Sequence, residues 1–177
     1  MEPSATKMLI RRACSHDIEE MVSVVRRSIT ELCVQEYRND PAVLQRCLEN
    51  KTPESFQRWI TDGKHLVIVV VGGSRILGVG MISSDGEIQL NYVSPDFRFQ
   101  GVSKELVKAM EQHAQSMGVC EVRLLSTQLV GRMYSAMGYD RVADAASRFG
   151  TLPGLVMRKK LVVDTGKLAL PHCQHEH

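Results

Sequence analysis

The chain has 177 residues, 44% of them hydrophobic and 24% charged, and a formal net charge of +2. That make-up fits one globular domain with a sizeable core, and so small and scattered a positive balance argues against a nucleic-acid partner. Five cysteines without CxxC spacing argue against a disulfide framework or a zinc site, and the longest apolar run, Leu66 to Val71, is too short to cross a bilayer.

Met1 to Lys7 lacks an apolar signal core, so the expected setting is cytoplasmic, with no membrane association. Met8 to Arg12 reads as a short strand. Ser15 then reads as a helix N-cap, with Asp17, Glu19 and Glu20 complementing the dipole of the first turn. The stripe Ile18, Met21, Val22, Val25 and Ile29 has helical spacing. Asp40-Pro41 and Thr52-Pro53 each place a capping residue before a proline at the first helical position, which predicts two short helices. Residues 30–60 read as a wall or lid more than as core.

Leu66 to Val71 is a β-branched run of the kind covered on both faces. With Ile76 to Ile82 and Glu87 to Val93, joined by turns at Gly72-Gly73-Ser74 and Asp85-Gly86, it predicts a three-stranded antiparallel meander. Leu106, Val107, Met110, Ala114 and Met117 then mark a helix stopped by Gly118. Glu121 to Ser126 reads as a strand, Val130 to Met137 as a short helix closed by Gly138, and Leu155 to Val162 as a last strand. The order implies a mixed sheet with helices on its faces, an α/β (α+β) class. One domain is expected over residues 1–163, with 164–177 a disordered tail. The tail's His172, Cys173, His175 and His177 are metal-ligand types, but a frayed terminus explains them and no metal is expected.

Chemistry is concentrated around Arg98-Phe99-Gln100-Gly101-Val102-Ser103-Lys104, where a strand gives way to a glycine-bearing turn and a helix start. Backbone N–H groups in such a turn, reinforced by the helix dipole, make a cradle for phosphate. In the strand before it, period-two alternation puts Glu87, Gln89 and Asn91 on one face and Ile88, Leu90 and Tyr92 on the other, so a polar cleft is expected there.

These residues, in this order, resemble the GCN5-related N-acetyltransferase (GNAT) superfamily over Met8 to about Leu161, in the manner of its small bacterial members. Arg98, Gly101 and Ser103 match the Gln/Arg-x-x-Gly-x-Gly/Ala signature, and Tyr134, Gly138 and Tyr139 match a Tyr-x-x-x-Gly-Phe/Tyr ending. The resemblance implies a mixed, mostly antiparallel central sheet of six to seven strands flanked by about four helices. It also implies an acetyl-CoA-dependent acetyltransferase acting on a primary amine of a small molecule or peptide. The loop residues Arg98 to Lys104 would bind the CoA pyrophosphate and the strand end at Tyr92 and Val93 the pantetheine, Val93 also marking the oxyanion N–H. Two positions depart from the pattern: Ser103 replaces a small residue and would bond the anion or crowd it, and Leu129 replaces a polar cofactor contact.

By the same resemblance Glu87 is the candidate base, directly or through a water, its alternative being a turn residue beside Gly86. Tyr134 is the candidate proton donor to the leaving thiolate, since a phenol near ~10 and a thiol near ~8.5 are well matched. Direct attack is expected over an acetyl-cysteine, because no cysteine lies in the strand, loop or helix that would hold the thioester. Glu31, Glu36, Tyr37 and Asp40 are placed near the acceptor wall, which favours a cationic small amine over a peptide, and the substrate-binding candidates are Glu31, Tyr37, Gln89 and Asn91. The rival readings are an inactive CoA-binding module and, more distantly, a nucleotide-binding protein, whose Gly-Lys-Ser/Thr order the loop lacks. Dimers are common in the family, but no surface in the sequence argues for one.

Overall fold

Seven strands, β1 (Met8–Arg12), β2 (His65–Gly72), β3 (Arg75–Ser83), β4 (Glu87–Val93), β5 (Glu121–Thr127), β6 (Asp140–Ala146) and β7 (Pro153–Lys160), form one sheet in the computed structural model. Their spatial order is β1-β2-β3-β4-β5-β7-β6, and β4–β5 is the parallel pair in an otherwise antiparallel sheet. The structure describes residues 7–146 and 153–162. The Glu36 side chain and the 164–177 tail, both named above, lie outside the described residues. Among those described, no helix is long and apolar enough to cross a membrane.

Four helices of nine residues or more flank the sheet, α1 (Ile18–Leu32), α4 (Pro53–Thr61), α5 (Val102–Ser116) and α6 (Gln128–Ala136), with the shorter α2 (Val34–Tyr37) and α3 (Pro41–Leu48) between the first two. The expected proline-led starts are present. Asp40 accepts from the N–H of Ala42 at 2.9 Å, and the Thr52 hydroxyl accepts from that of Ser55 at 3.3 Å. The start of α1 differs from expectation. A 3-10 turn over Ser15–Asp17 precedes it, and the capping carboxylate is that of Asp17, which accepts from Cys14 N–H at 2.8 Å and from both terminal nitrogens of Arg11 at 2.7 and 2.8 Å.

Two apolar layers sandwich the sheet. Leu66, Ile68 and Val70 of β2 join Leu106, Val107 and Met110 of α5, while Val67 and Val69 join Met21, Val25 and Ile29 of α1, as a run covered on both faces requires. Tyr37, Val43, Cys47, Leu48 and Phe56 belong to the α1 layer, so residues 30–60 supply core as well as wall. α5 approaches β3 closely because Gly78 and Gly80 face it: a Cβ at Gly78 would lie 2.6 Å from Val102 Cγ1, and one at Gly80 3.2 Å from Leu106 Cδ2.

β4 departs from the expected alternation. Met81 pairs with Leu90 but its neighbour Ile82 pairs with Ile88, so Gln89 is an extra residue, a β-bulge. Ile88 therefore packs in the α5 layer, whereas Leu90 and Tyr92 pack in the α1 layer. The single polar row of Glu87, Gln89 and Asn91 is divided between the two faces. β6 is a strand that the sequence does not announce, since Ala and Asp are poor strand formers. It is held as an edge by pairing with β7 alone.

Candidate active site

The parallel strands β4 and β5 pair only at Glu87 with Arg123 and Ile88 with Leu124, then part. Beyond that point β4 keeps β3 on one edge and opens on the other into a cavity of about 640 Å³. Ser94 N–H donates to Leu77 C=O at 2.8 Å, which makes the neighbouring Val93–Gly78 pair the non-bonded kind, so the peptide groups of Val93, and of Asn91 two residues back, face the opening. The cavity runs through the sheet. Ser103, Met133 and Tyr134 line it on the α5–α6 side, and Ser28, Leu32, Cys33, Cys47 and Lys51 on the α1–α3 side.

At its mouth the loop after β4 enters α5. Phe99 (φ +60°) and Gly101 (φ +80°) both adopt left-handed backbone, the second as the N-cap of α5, so successive N–H groups turn inward. No side chain caps the helix, and the N–H groups of its first turn are left for an incoming anion. Arg98 and Lys104 add positive charge to the lining, and Arg98 stacks over the Phe99 ring at 4.7 Å. An uncapped fifteen-residue helix behind a left-handed glycine, at the mouth of an open cleft, fits a diphosphate and an extended thiol arm.

Inside the cleft, Asn91 joins two elements. Its Nδ2 donates to Ser103 Oγ at 2.8 Å and to the Tyr134 hydroxyl at 2.9 Å, and Ser103 Oγ lies 3.5 Å from Met133 Sδ. Ser103 is thus engaged with the strand. Asn91 Oδ1 and Thr127 Oγ1 are buried without a hydrogen-bond partner, which leaves two polar atoms at the cleft for a bound molecule to satisfy. Burial raises the Tyr134 phenol above its ordinary pKa, with the Asn91 hydrogen bond pulling the other way, so it remains protonated at neutral pH. Its ring packs edge-on against Tyr139 at 5.6 Å. Tyr139 donates to Glu111 Oε1 at 2.8 Å, and Lys159 Nζ donates to Glu111 Oε2 at 2.8 Å. Burial and the Glu111 carboxylate push the Tyr139 phenol upward in turn.

Of the residues singled out in the sequence, Gln89, Asn91, Tyr92, Val93, Arg98, Phe99, Gly101, Val102, Ser103, Lys104 and Tyr134 line the cavity. Gln100 is exposed and off the lining. Glu87 sits where β4 and β5 still pair; it is not itself lining, but Gln89 Nε2, which is on a lining residue, lies 3.4 Å from its Oε2. The acceptor-wall residues are placed elsewhere. Glu31 is paired with Arg27, which also holds Asp96, Tyr37 is buried with its hydroxyl donating to Thr30 C=O at 2.9 Å, and Asp40 caps α3. Glu31, Tyr37 and Asp40 are therefore off the cavity lining, and the side chain of Glu36, the fourth residue expected at that wall, lies outside the described residues. Leu129, 63% exposed, does lie on the lining. Sequence reasoning did not place Lys51, Cys33 and Cys47 at the cavity; Cys33 sits at the α1–α2 junction, Cys47 within α3 and Lys51 in the turn after it, positions whose local pattern does not point to a cleft.

The sequence profile described as Acetyltransferase (GNAT) domain matches residues 33–161. No curated protein matches the chain. Among solved structures, a GCN5-related N-acetyltransferase from Rhodopseudomonas palustris superposes with a TM-score of 0.77 at 16% identity, covering 91% of this chain and 100% of that one. The PaiA N-acetyltransferase from Thermoplasma acidophilum, in complex with coenzyme A, gives 0.73 at 17% identity over 88% and 99%. The ribosomal-protein-S18-alanine N-acetyltransferase from Escherichia coli gives 0.68 at 11% over 93% and 100%. At such identities the structural likeness is one of fold.

Proposed function

Because the chain belongs to the GNAT acetyltransferase family, whose chemistry is acetyl-CoA-dependent acyl transfer, we propose that it acetylates a primary amine of a small molecule or peptide by direct attack. The observation that carries this reading is the continuity of one cavity from the uncapped start of α5, along the opened edge of β4, to the Tyr134 hydroxyl. The structural relative holding coenzyme A supports acetyl-CoA as the donor.

Acetyl-CoA, when bound, supplies an activated acyl thioester. The first-turn N–H groups of α5, with Arg98 and Lys104, hold its pyrophosphate. The cleft-facing peptide groups of Asn91 and Val93 align the pantetheine, those of Tyr92 being turned to β3, and the Val93 N–H is the donor to the carbonyl oxygen as it gains charge. An alkyl amine is mostly protonated at neutral pH, with a pKa near ~10, so it must lose a proton before attack. Glu87 accepts that proton through a water, from its place beside Gln89 at the closed end of the cleft. Tyr134, kept protonated by its burial, gives a proton to the departing sulfur. Cys33 and Cys47 line the cavity from the α1–α3 side, and neither belongs to β4, the cradle or α6, so direct attack is kept over a cysteine intermediate.

The test is acetyl-CoA-dependent thiol release over polyamines, aminoglycosides, amino acids and peptides. Amine-dependent release is expected, falling about 10²-fold or more in kcat for Tyr134→Phe. Tight CoA binding with no release on any amine would establish instead an inactive CoA-binding module.

A further inference from the structure

The Asn91 amide decides where two hydroxyl protons point in the cleft. Its Nδ2 donates to the Tyr134 hydroxyl at 2.9 Å and to Ser103 Oγ at 2.8 Å, so both of its N–H bonds are spent on oxygens that act as acceptors. The Ser103 hydroxyl donates in turn to Met133 Sδ at 3.5 Å. Tyr134, 7% exposed and on the cavity lining, has no acceptor for its own hydroxyl proton among the described residues. That proton is left for a molecule in the cleft.

An amide turned the other way would undo this arrangement. Its oxygen would accept from both hydroxyls and draw the Tyr134 proton onto Asn91, while two buried N–H bonds lost their partners. In the orientation observed, Oδ1 alone of the amide is unpartnered, and a buried carbonyl oxygen without a partner is met more readily than a buried N–H without one. The Met133 sulfur adds to the bias. By taking the Ser103 proton it leaves Ser103 Oγ as an acceptor, which only the nitrogen of the amide can serve. Ser103, standing where the signature has a small residue, thereby fixes the sense of the amide.

We infer that Asn91 is a positioning residue for proton transfer: by donating to the Tyr134 hydroxyl it aims the phenolic proton at the departing sulfur and then holds the phenolate that remains. This rests on the acetyl-transfer reading with Tyr134 as proton donor. As the C–S bond breaks, its electron pair goes to sulfur, and the Tyr134 proton forms the S–H bond. The phenol oxygen keeps the negative charge, accepting from Asn91 Nδ2, until solvent returns a proton after CoA leaves. Burial opposes that phenolate and the Asn91 hydrogen bond favours it. The neighbouring phenol takes no part, since Tyr139 gives its proton to Glu111 at 2.8 Å. Asn91 thus acts on the thioester side of the reaction and not on the acceptor amine.

The experiment measures the acidity of the CoA thiol bound to the protein, followed by the ultraviolet absorbance of the thiolate against the same protein loaded with desulfo-CoA. It needs neither an acceptor amine nor turnover. A phenolic proton aimed at sulfur stabilises the thiolate, so the acid dissociation constant of bound CoA is expected to be about tenfold or more larger in the wild type than in Tyr134→Phe. Asn91→Leu should lose about threefold or more of that acidity in the wild-type background and less than about twofold in the Tyr134→Phe background, because it acts through the phenol. A merely structural loss would instead weaken CoA binding, read by calorimetry, and would be the same in both backgrounds. Should Asn91→Leu fail to fold by circular dichroism, Asn91→Ala carries the same comparison. An effect of Tyr134→Phe that Asn91→Leu does not share, or an Asn91→Leu effect equal in the two backgrounds, overturns the inference alone. Bound CoA equally acidic in the wild type and Tyr134→Phe overturns the proton-donor reading, and the inference with it.

Discussion

Gly78→Ala tests whether the packing of the core and the geometry of the cradle are one structure. A Cβ there would lie 2.6 Å from Val102 Cγ1, 3.1 Å from Leu106 Cδ1 and 3.1 Å from the Tyr92 carbonyl oxygen. Carbon atoms prefer about 3.5–4.0 Å, so the start of α5 must retreat by roughly 1 Å, because the Tyr92 carbonyl belongs to the sheet and cannot yield. Overpacking of this kind costs about 1–3 kcal/mol, offset by about 0.4–1 kcal/mol from the stiffer unfolded chain. A net loss of about 1–2 kcal/mol follows, or roughly 2–8 °C in Tm for a domain of this size. Val102 is the first residue of α5, so the same retreat displaces the N–H groups of its first turn, and CoA affinity should fall about tenfold, since hydrogen bonds to charged groups are worth about 1.5–3 kcal/mol each. Gly80→Ala is the control: its nearest contacts, 3.2 Å to Ile68 Cγ1 and to Leu106 Cδ2 and 3.3 Å to Met110 Cε, lie deeper along the helix, so it should cost stability with little change in CoA binding. Urea unfolding and calorimetric titration with CoA read the two effects. If Gly78→Ala is destabilised while binding CoA like the wild type, or if both variants lose CoA affinity equally, the coupling is wrong.

Ser103→Ala removes the acceptor of one Asn91 hydrogen bond; kcat should drop several-fold as the Tyr134 hydroxyl loses its orientation, with the KM for acetyl-CoA little changed. The opposite pattern, a raised KM at constant kcat, would show that this hydroxyl serves the phosphate after all. Lys159→Met leaves the Glu111 carboxylate with the Tyr139 hydroxyl as its remaining donor among the described residues and should lower stability by about 1–3 kcal/mol; an unmoved urea midpoint would contradict this. Asp17 provides an acid-sensitive contact: burial acts upward on its carboxyl, but the bonds from Arg11 and Cys14 N–H outweigh it and hold the pKa below the ordinary 3.8. A carboxyl depressed on folding contributes fully above its unfolded pKa and loses that contribution as pH falls through its folded value. Thermal melts from about pH 5 down to pH 2.5 should therefore steepen below about pH 4, and Asp17→Asn should flatten that limb.

Where local chemistry decides the outcome, the chain could be read directly. Pro41 and Pro53 start helices behind Asp40 and Thr52 because a capping oxygen and a missing N–H act within four residues. The run at 66–71 is buried on both sides because β-branched residues suit a central strand, and Gly101 takes the left-handed conformation at the head of α5. What escaped reading depends on partners distant in sequence. β6 forms only because β7 offers an edge, and the Gln89 bulge is defined by its count against β3. Glu31 and Tyr37 looked free to meet a substrate until Arg27 and the Thr30 carbonyl claimed them, and the burial of Lys51 depends on Arg26 closing the turn from α1.

The extra residue in β4 sets the parity of that strand. An even spacing would put Glu87 and Asn91 on the same side, but the bulge makes the effective spacing odd, so the carboxylate and the amide address opposite sides of the sheet. One strand of seven residues thus addresses both faces of the sheet: Asn91 turns toward Ser103 and Tyr134, and Glu87 toward the α1 face. Deleting Gln89 would remove the bulge yet keep that odd spacing, so Glu87 and Asn91 would stay on opposite faces of the sheet.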